Sequence, residues 1–190
     1  ELIDQLLDRS EYADYWALKY ADLLRVEEKT LDRKGVQNFY YWIRRWIEHD
    51  RPMNEFAAEV VSGRGDTYTS PAAGYYRAQR DPVLRAETTA QVFLGVRLQC
   101  AKCHNHPFDR WTMDDYYSFA AFFAQVGRKQ TEDYRDIVIY NRAGGETSNP
   151  VTKQRMAPKF LGGAVPEIKP GEDRRAILAK WLTAGDNPFF

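Results

Sequence analysis

Apolar residues recur along most of the chain at the three-and-four spacing of helices buried on one side. The pattern is clearest over 37–49, where Phe39, Trp42, Ile43, Trp46 and Ile47 share one face, while Arg44, Arg45 and Glu48 face outward. Upstream, Leu2, Ile3, Leu6 and Leu7 predict a short helix over 2–8. Ser10 then stands as N-cap of a second helix, with Trp16, Tyr20, Leu23 and Leu24 as its buried side. Residues 28–36 are polar and contain Lys34-Gly35, which predicts a loop. A helix begins near Pro52, with Met53, Phe56, Val60 and Val61 as its stripe and Gly63 as its stop. Residues 62–80 predict another loop.

Asp81-Pro82 is a strong helix start, a capping carboxylate followed by proline in the first turn. That helix is expected to run from 82 to 99, with Leu84, Thr88, Val92, Gly95 and Gln99 on one face. A glycine inside it would let another body pack closely. Thr112 and Asp115 have the spacing of a capping box, and Tyr116, Phe119, Ala120 and Phe123 give the helix behind them an apolar face. Beyond 125 the period changes. Ile137-Val138-Ile139-Tyr140 is β-like, 143–145 is a turn, and 147–152 is the expected return strand. Residues 156–172 carry three prolines and predict an extended surface segment. Asp173 opens a last helix with Ile177, Leu178, Trp181 and Leu182. The predicted fold class is mainly α: an irregular helical domain with long loops and one small β-hairpin.

Composition changes this picture little. At 190 residues the chain can build one good core. Its 27 basic and 27 acidic side chains balance, so nothing draws it strongly to nucleic acid or an anionic membrane. No apolar run approaches the ~20 residues of a membrane span. Aromatic residues reach 14%, which suits the walls of a large flat cofactor and equally an ordinary aromatic core. The chain begins at Glu1 and stops in mid-pattern at Phe189-Phe190, as expected for a piece of a longer protein.

The chemistry lies in Cys100-Ala101-Lys102-Cys103-His104, which holds the only two cysteines. C-x-x-C-H is the spacing of covalent haem attachment. Two thiols add to the two vinyl groups of the ring, and the next residue offers an imidazole to the iron, so His104 is the expected proximal ligand. The cofactor would be haem c. Three other readings use the same residues: a redox dithiol, a plain disulfide, or a zinc site of Cys100, Cys103 and His106 with a fourth ligand. His106 stands too near His104 to reach the opposite face of the same ring, and is expected to hold a propionate, fix the loop or bind another metal. The distal candidates are Met113, then Met156, then His49. Arg110 is placed to pair with a propionate or with Asp109 or Asp114, and Trp111, Tyr116 and Tyr117 to line a pocket. No P-loop, G-x-S-x-G or H-E-x-x-H occurs.

The stretch VFLGVRLQCAKCHNHPFDRWTMDDYYSFAAFF (92–123) resembles the planctomycete cytochrome-c-like domains of unknown function, the PSCyt group. WIRRWIEHDRPMNEFAAEVVSG (42–63) is similar to that group's upstream helices, and PKFLGG (158–163) with DRRAILAKWLTAGDNPFF (173–190) to the junction with its partner, the PSD group. The resemblance implies a cytochrome-c-like domain over 1–172 and the start of the partner domain at 173–190. It implies a large exported bacterial protein and carries over Cys100, Cys103, His104 and His106. It implies no reaction. The expected function is therefore an electron-transfer module with an unknown redox partner, placed in the periplasm or at the cell surface. The alternatives are a non-redox binding module and a haem enzyme with an open distal position.

Overall fold

The computed structural model describes residues 1–189; position 190, the last of the predicted 173–190 segment, lies outside them. The fold is mainly α. Eight helices occur among the described residues: α1 (Leu2–Leu7), α2 (Ser10–Leu23), α3 (Glu28–Glu48), α4 (Met53–Ser62), α5 (Gly74–Ala78), α6 (Pro82–Phe93), α7 (Met113–Ala120) and α8 (Arg174–Leu182). Five short strands accompany them: β1 (Gly65–Asp66), β2 (Val126–Gln130), β3 (Ile137–Asn141), β4 (Thr147–Ser148) and β5 (Arg155–Met156).

The core forms where apolar faces meet. Phe39, Ile43 and Trp46 of α3 and Phe56, Ala57, Val60 and Val61 of α4 are buried, as their spacing predicts. Full burial of an aromatic or branched side chain contributes about 1.5–3 kcal/mol, so this block alone anchors the N-terminal half. Trp46 also gives its indole N–H to the Arg51 and Pro52 carbonyls, at 3.1 and 3.2 Å. α6 packs on α7, and Phe119, Phe122 and Phe123 fill the centre. α8 packs on α4 and adds Leu178 and Leu182 to the same core.

Several expectations need correction. α2 buries only part of its predicted side: Leu24 is buried and Tyr20 packs on the core, but Trp16 and Leu23 are exposed, and Ala13, Ala17 and Ala21 face inward in their place. Small residues let α2 lie close along α3, and that close approach outweighs the larger side chains. Met53, expected in the α4 stripe, is exposed at the helix start. Residues 28–36 are not a loop. α3 begins at Glu28 and breaks at Asp32, whose φ of 56° is left-handed. Asp32 Oδ1 accepts the Gly35 N–H at 3.1 Å and so caps the longer half of the helix. Within 62–80, residues 74–78 form α5. Its Tyr75 and Tyr76 are fully buried because their hydroxyls find the Arg85 and Val61 carbonyls.

The predicted helix over 82–99 ends at Phe93. Its start is as read: Asp81 Oδ1 accepts the Val83 N–H at 2.7 Å. Gly95, however, is not an interior glycine making room for a neighbour. It has φ +68°, and no atom lies within 4 Å of where a Cβ would stand. Its role is to let the chain leave the helix, with Val96 N–H returning to the Ala90 carbonyl at 3.0 Å. Gly95→Ala is expected to lower stability by about 1–2 kcal/mol, the cost of a left-handed alanine, and Gly95→Asn by less. Urea midpoints of the two variants measure this.

The hairpin also pairs differently. β3 lies between β1 and β2 in one antiparallel sheet, while β4 pairs with β5. The partner of β3 is thus 126–130 rather than 147–152. Gly127 explains the choice: a Cβ there would stand 2.5 Å from the Tyr140 ring, so only glycine lets that ring cross β2.

Candidate functional site

Cys100 to His104 lies between two anchored segments. Leu98 is fully buried, and its carbonyl accepts the Ala101 N–H at 2.9 Å. Residues Gln99–Lys102 form a 3₁₀ turn, not the end of an α-helix as expected. Ala101 is buried, and the Tyr117 hydroxyl of α7 donates to the Lys102 carbonyl at 3.1 Å. Cys100 lies within this turn and Cys103 is its C-cap, with φ −113° and ψ −25°. Both are exposed and free.

His104 and His106 are in different chemical states. His104 Nδ1 lies 2.7 Å from the Asn105 carbonyl oxygen, which can only accept. Nδ1 therefore carries the proton, and the Nε2 lone pair is free. A backbone carbonyl that fixes the tautomer in this way is the usual support of a metal-ligating imidazole. In His106 the roles reverse. Its Nδ1 accepts the Phe108 N–H at 3.3 Å, so the neutral ring carries its proton on Nε2. His104 offers a lone pair to a metal, and His106 offers a donor to an anion.

The loop from 106 to 111 closes at its base through His106 N–H to the Trp111 carbonyl, 2.8 Å. Phe108 at its tip is 95% exposed. Trp111 is its floor: the ring is buried, yet its indole N–H has no partner. Arg110 lies over that ring at 4.7 Å. Stacked and tilted rings continue from Trp111 through Phe189, Trp181 and Phe160 to Phe122, with centroids 6.3, 6.4, 4.7 and 5.2 Å apart. The loop is thereby seated on the core.

Downstream, the capping box forms as predicted. Asp115 Oδ2 accepts the Thr112 N–H and Thr112 Oγ1 accepts the Asp115 N–H. Burial works against the Asp115 carboxylate, but its bonds from Thr112 and Lys159 outweigh burial and hold it below the ordinary range. Burial pushes the Tyr116 hydroxyl up, and its bond to Glu87 adds to the shift. Burial also raises Tyr117, with Cys103 and Glu87 contributing.

Of the distal candidates, Met113 is half-buried in the first turn of α7. Met156, expected in a flexible polar loop, is instead buried in β5, because pairing with β4 turns it toward α7. His49 caps the far end of α3, with Nδ1 2.8 Å from the Arg45 carbonyl. It lines a groove of about 520 Å³ with Tyr41, Trp42 and Tyr68, away from the motif. Among the described residues, no group of three or more Cys, His, Asp and Glu is gathered as a metal site. The fourth ligand required by a zinc reading is therefore not assembled beside Cys100, Cys103 and His106.

A family model matches residues 1–128, covering α1 to α7 and the motif: PSCyt2, a protein of unknown function (DUF1549). The chain belongs to this family. PSCyt2 is a planctomycete cytochrome-like family of unknown function. No curated protein and no solved structure matches the chain. No helix among the described residues is long and apolar enough to cross a membrane.

The donors of this PSCyt2 chain fit a covalently held haem. Two exposed, free thiols stand in a 3₁₀ turn and at its C-cap, an adjacent imidazole keeps its Nε2 lone pair free, and a buried indole N–H is unmatched beneath the loop. The tautomers and the 3₁₀ turn depend on carbonyl positions, which the sequence does not encode locally. The anchor from Tyr117 was within reach, since it follows the capping box on the inner face of α7.

Proposed function

We propose that this chain is a c-type haem module for electron transfer within a larger exported bacterial protein. Cys100 and Cys103 would supply the thioethers, and His104 Nε2 would offer its lone pair to the iron. The observation that carries this reading is the pairing of two free, exposed thiols, three residues apart, with an adjacent imidazole whose tautomer leaves Nε2 available. A bound haem would supply one-electron chemistry at iron. The chain's own residues hold and orient. Asn105 keeps the His104 proton on Nδ1, His106 Nε2–H and Arg110 offer donors to propionates, and Trp111 seats the loop. On this reading the protein matures in the periplasm or at the cell surface, and 173–190 leads into a PSD-type partner domain.

A second reading concerns the distal side. With Met156 buried and His49 at the end of α3, only Met113 of the three candidates stands near the motif in the chain, and it lies within a helical turn. An open distal position suits binding of small ligands. Rapid CO binding by the reduced protein supports the open form, and a CO-inert six-coordinate spectrum supports Met113.

Expression with the bacterial haem-attachment machinery tests the whole proposal. The intact mass is expected to rise by one haem, with a Soret band that survives denaturation and acid–acetone extraction. Cys100→Ser with Cys103→Ser should remove both signals completely. A colourless product of unmodified mass from machinery that matures a control cytochrome would reject the haem reading in favour of a dithiol, a disulfide or zinc.

A further inference from the structure

One face of α3 carries Asn38, Tyr41, Trp42, Arg45 and His49, spaced by three and four residues along the helix. That face borders an open groove of about 520 Å³, and the segment from Tyr68 to Pro71 forms the opposite wall. Small-molecule sites span roughly 300–1,000 Å³, so the size is ordinary for one. Hydrogen bonds fix the two walls. Asn38 Nδ2 donates to the Tyr68 carbonyl at 3.0 Å, and the Tyr68 hydroxyl donates to Asp32 at 2.9 Å. Asp66 Oδ1 accepts the Tyr68 and Thr69 N–H groups at 2.8 and 3.2 Å. A ligand therefore meets a wall that is already in place.

The groove is cationic. Arg45, Arg51 and His49 line it, and among the described residues no carboxylate does. Arg51 is occupied: it lies 3.3 Å from the Trp46 ring centre and stands 3.6 and 3.4 Å from Glu55 and Glu59. Arg45 enters no ion pair among the described residues, whereas Arg44 beside it holds Asp14 and Glu48 at 2.5 and 2.8 Å. One guanidinium fork is thus left for a ligand, and a fork matches the two oxygens of one carboxylate. His49 Nδ1 faces the Arg45 carbonyl at 2.8 Å, so Nε2 of the neutral ring is an acceptor for a hydroxyl. The rings decide what carries the carboxylate. Trp42 already stacks on Phe56 with centroids 5.1 Å apart, Arg51 covers Trp46, and Lys34 stands 4.1 Å over the Tyr68 ring. No two parallel free faces are offered to clamp a flat aromatic acid. Tyr41, 53% exposed, offers a single platform. A sugar ring needs only one: its C–H face packs on the aromatic ring by dispersion, and its hydroxyls turn to groups such as His49 Nε2 and the Thr69 hydroxyl.

We propose that this groove binds an acidic saccharide, a uronic-acid residue whose carboxylate pairs with Arg45 and whose ring lies on Tyr41. The site is built from α3 and the segment 68–71, with no residue of the motif at Cys100, so it stands or falls separately from the haem reading.

Titration calorimetry on the full chain with trigalacturonate, maltotriose and benzoate at one ionic strength tests it. Saturable binding of trigalacturonate is expected, with maltotriose and benzoate each at least tenfold weaker. Arg45→Ala and Tyr41→Ala, both at exposed positions, should each raise the dissociation constant for trigalacturonate at least fivefold with circular dichroism unchanged. Arg135→Ala, from an exposed pair with Asp133, removes the same charge elsewhere and should leave it unchanged. Maltotriose binding as tightly as trigalacturonate would refute the role of Arg45, and benzoate binding as tightly would refute the sugar. No heat with trigalacturonate, or binding indifferent to both Arg45→Ala and Tyr41→Ala, would overturn the site.

Discussion

Arg175→Ala is expected to cost about 3–5 kcal/mol, the usual consequence of removing one partner from a buried charged pair. Arg175 is 1% exposed. It grips Asp173 with both arms of its fork, Nε to Oδ1 at 3.0 Å and Nη2 to Oδ2 at 2.7 Å. Its remaining Nη1 donates to the Gly63 carbonyl at the end of α4, 2.7 Å away, and the guanidinium lies 4.9 Å from the Tyr76 ring centre. Truncation leaves a carboxylate and a carbonyl unmatched and cuts the tie between α8 and α4. Against a total stability of about 5–15 kcal/mol for a domain, that is a large fraction. Arg175→Lys keeps the charge but not the fork, and is expected to fall between. Arg135→Ala should leave the stability nearly unchanged, since its pair with Asp133 is solvated. Urea unfolding of the three variants is the measurement, and equal midpoints for Arg175→Ala and Arg135→Ala would refute the ranking.

The effect reaches the motif through the aromatic rings. α8 carries Trp181, which stacks on Phe160 at 4.7 Å and meets Phe189, the neighbour of Trp111. Loosening α8 therefore loosens the floor of the loop that presents His104 and His106. A destabilised Arg175 variant should show faster hydrogen exchange at the Trp111 and His106 amides than at α6.

What the amino-acid pattern revealed and what it concealed follow the same physics. α3 from 37 onward, the Asp81-Pro82 start and the Thr112–Asp115 box were legible because each signal lies within one or two turns of chain. The α2 face was misread because bulk was weighted over fit: Ala17 and Ala21 are buried while Trp16 lies in solvent. α5 was read as part of a loop because Gly63, Gly65, Ser70-Pro71 and Gly74 surround so short a helix, and the partners of its tyrosines, Val61 and Arg85, lie outside it. The pairing of β2 with β3 was hidden by the polar content of Val126–Gln130. The spacing of the candidate motif was visible without the fold, since its five residues are contiguous. Its tautomers were not, because they depend on where two backbone groups point.

The tautomers lead to the second large effect. On the proposed haem reading, His104→Ala is expected to keep the covalent haem, since the thioethers would come from Cys100 and Cys103, but to change its spectrum and potential. Axial ligands set haem potentials over a range of about 0.8 V, so loss of the proximal nitrogen should move the midpoint by on the order of hundreds of millivolts. His106→Gln is expected to leave the axial spectrum intact and to move the midpoint far less, because Nδ1 accepts the Phe108 N–H and the remaining Nε2–H would be a donor to the rim of the ring rather than a ligand to its metal. Glutamine keeps a donor of similar reach. Spectroelectrochemical titration of the two matured variants measures both effects. If His106→Gln gave the larger shift and His104→Ala a near-native spectrum, the iron would be held by the other imidazole. The Asn105 carbonyl would then be orienting a surface histidine with no part in the chemistry.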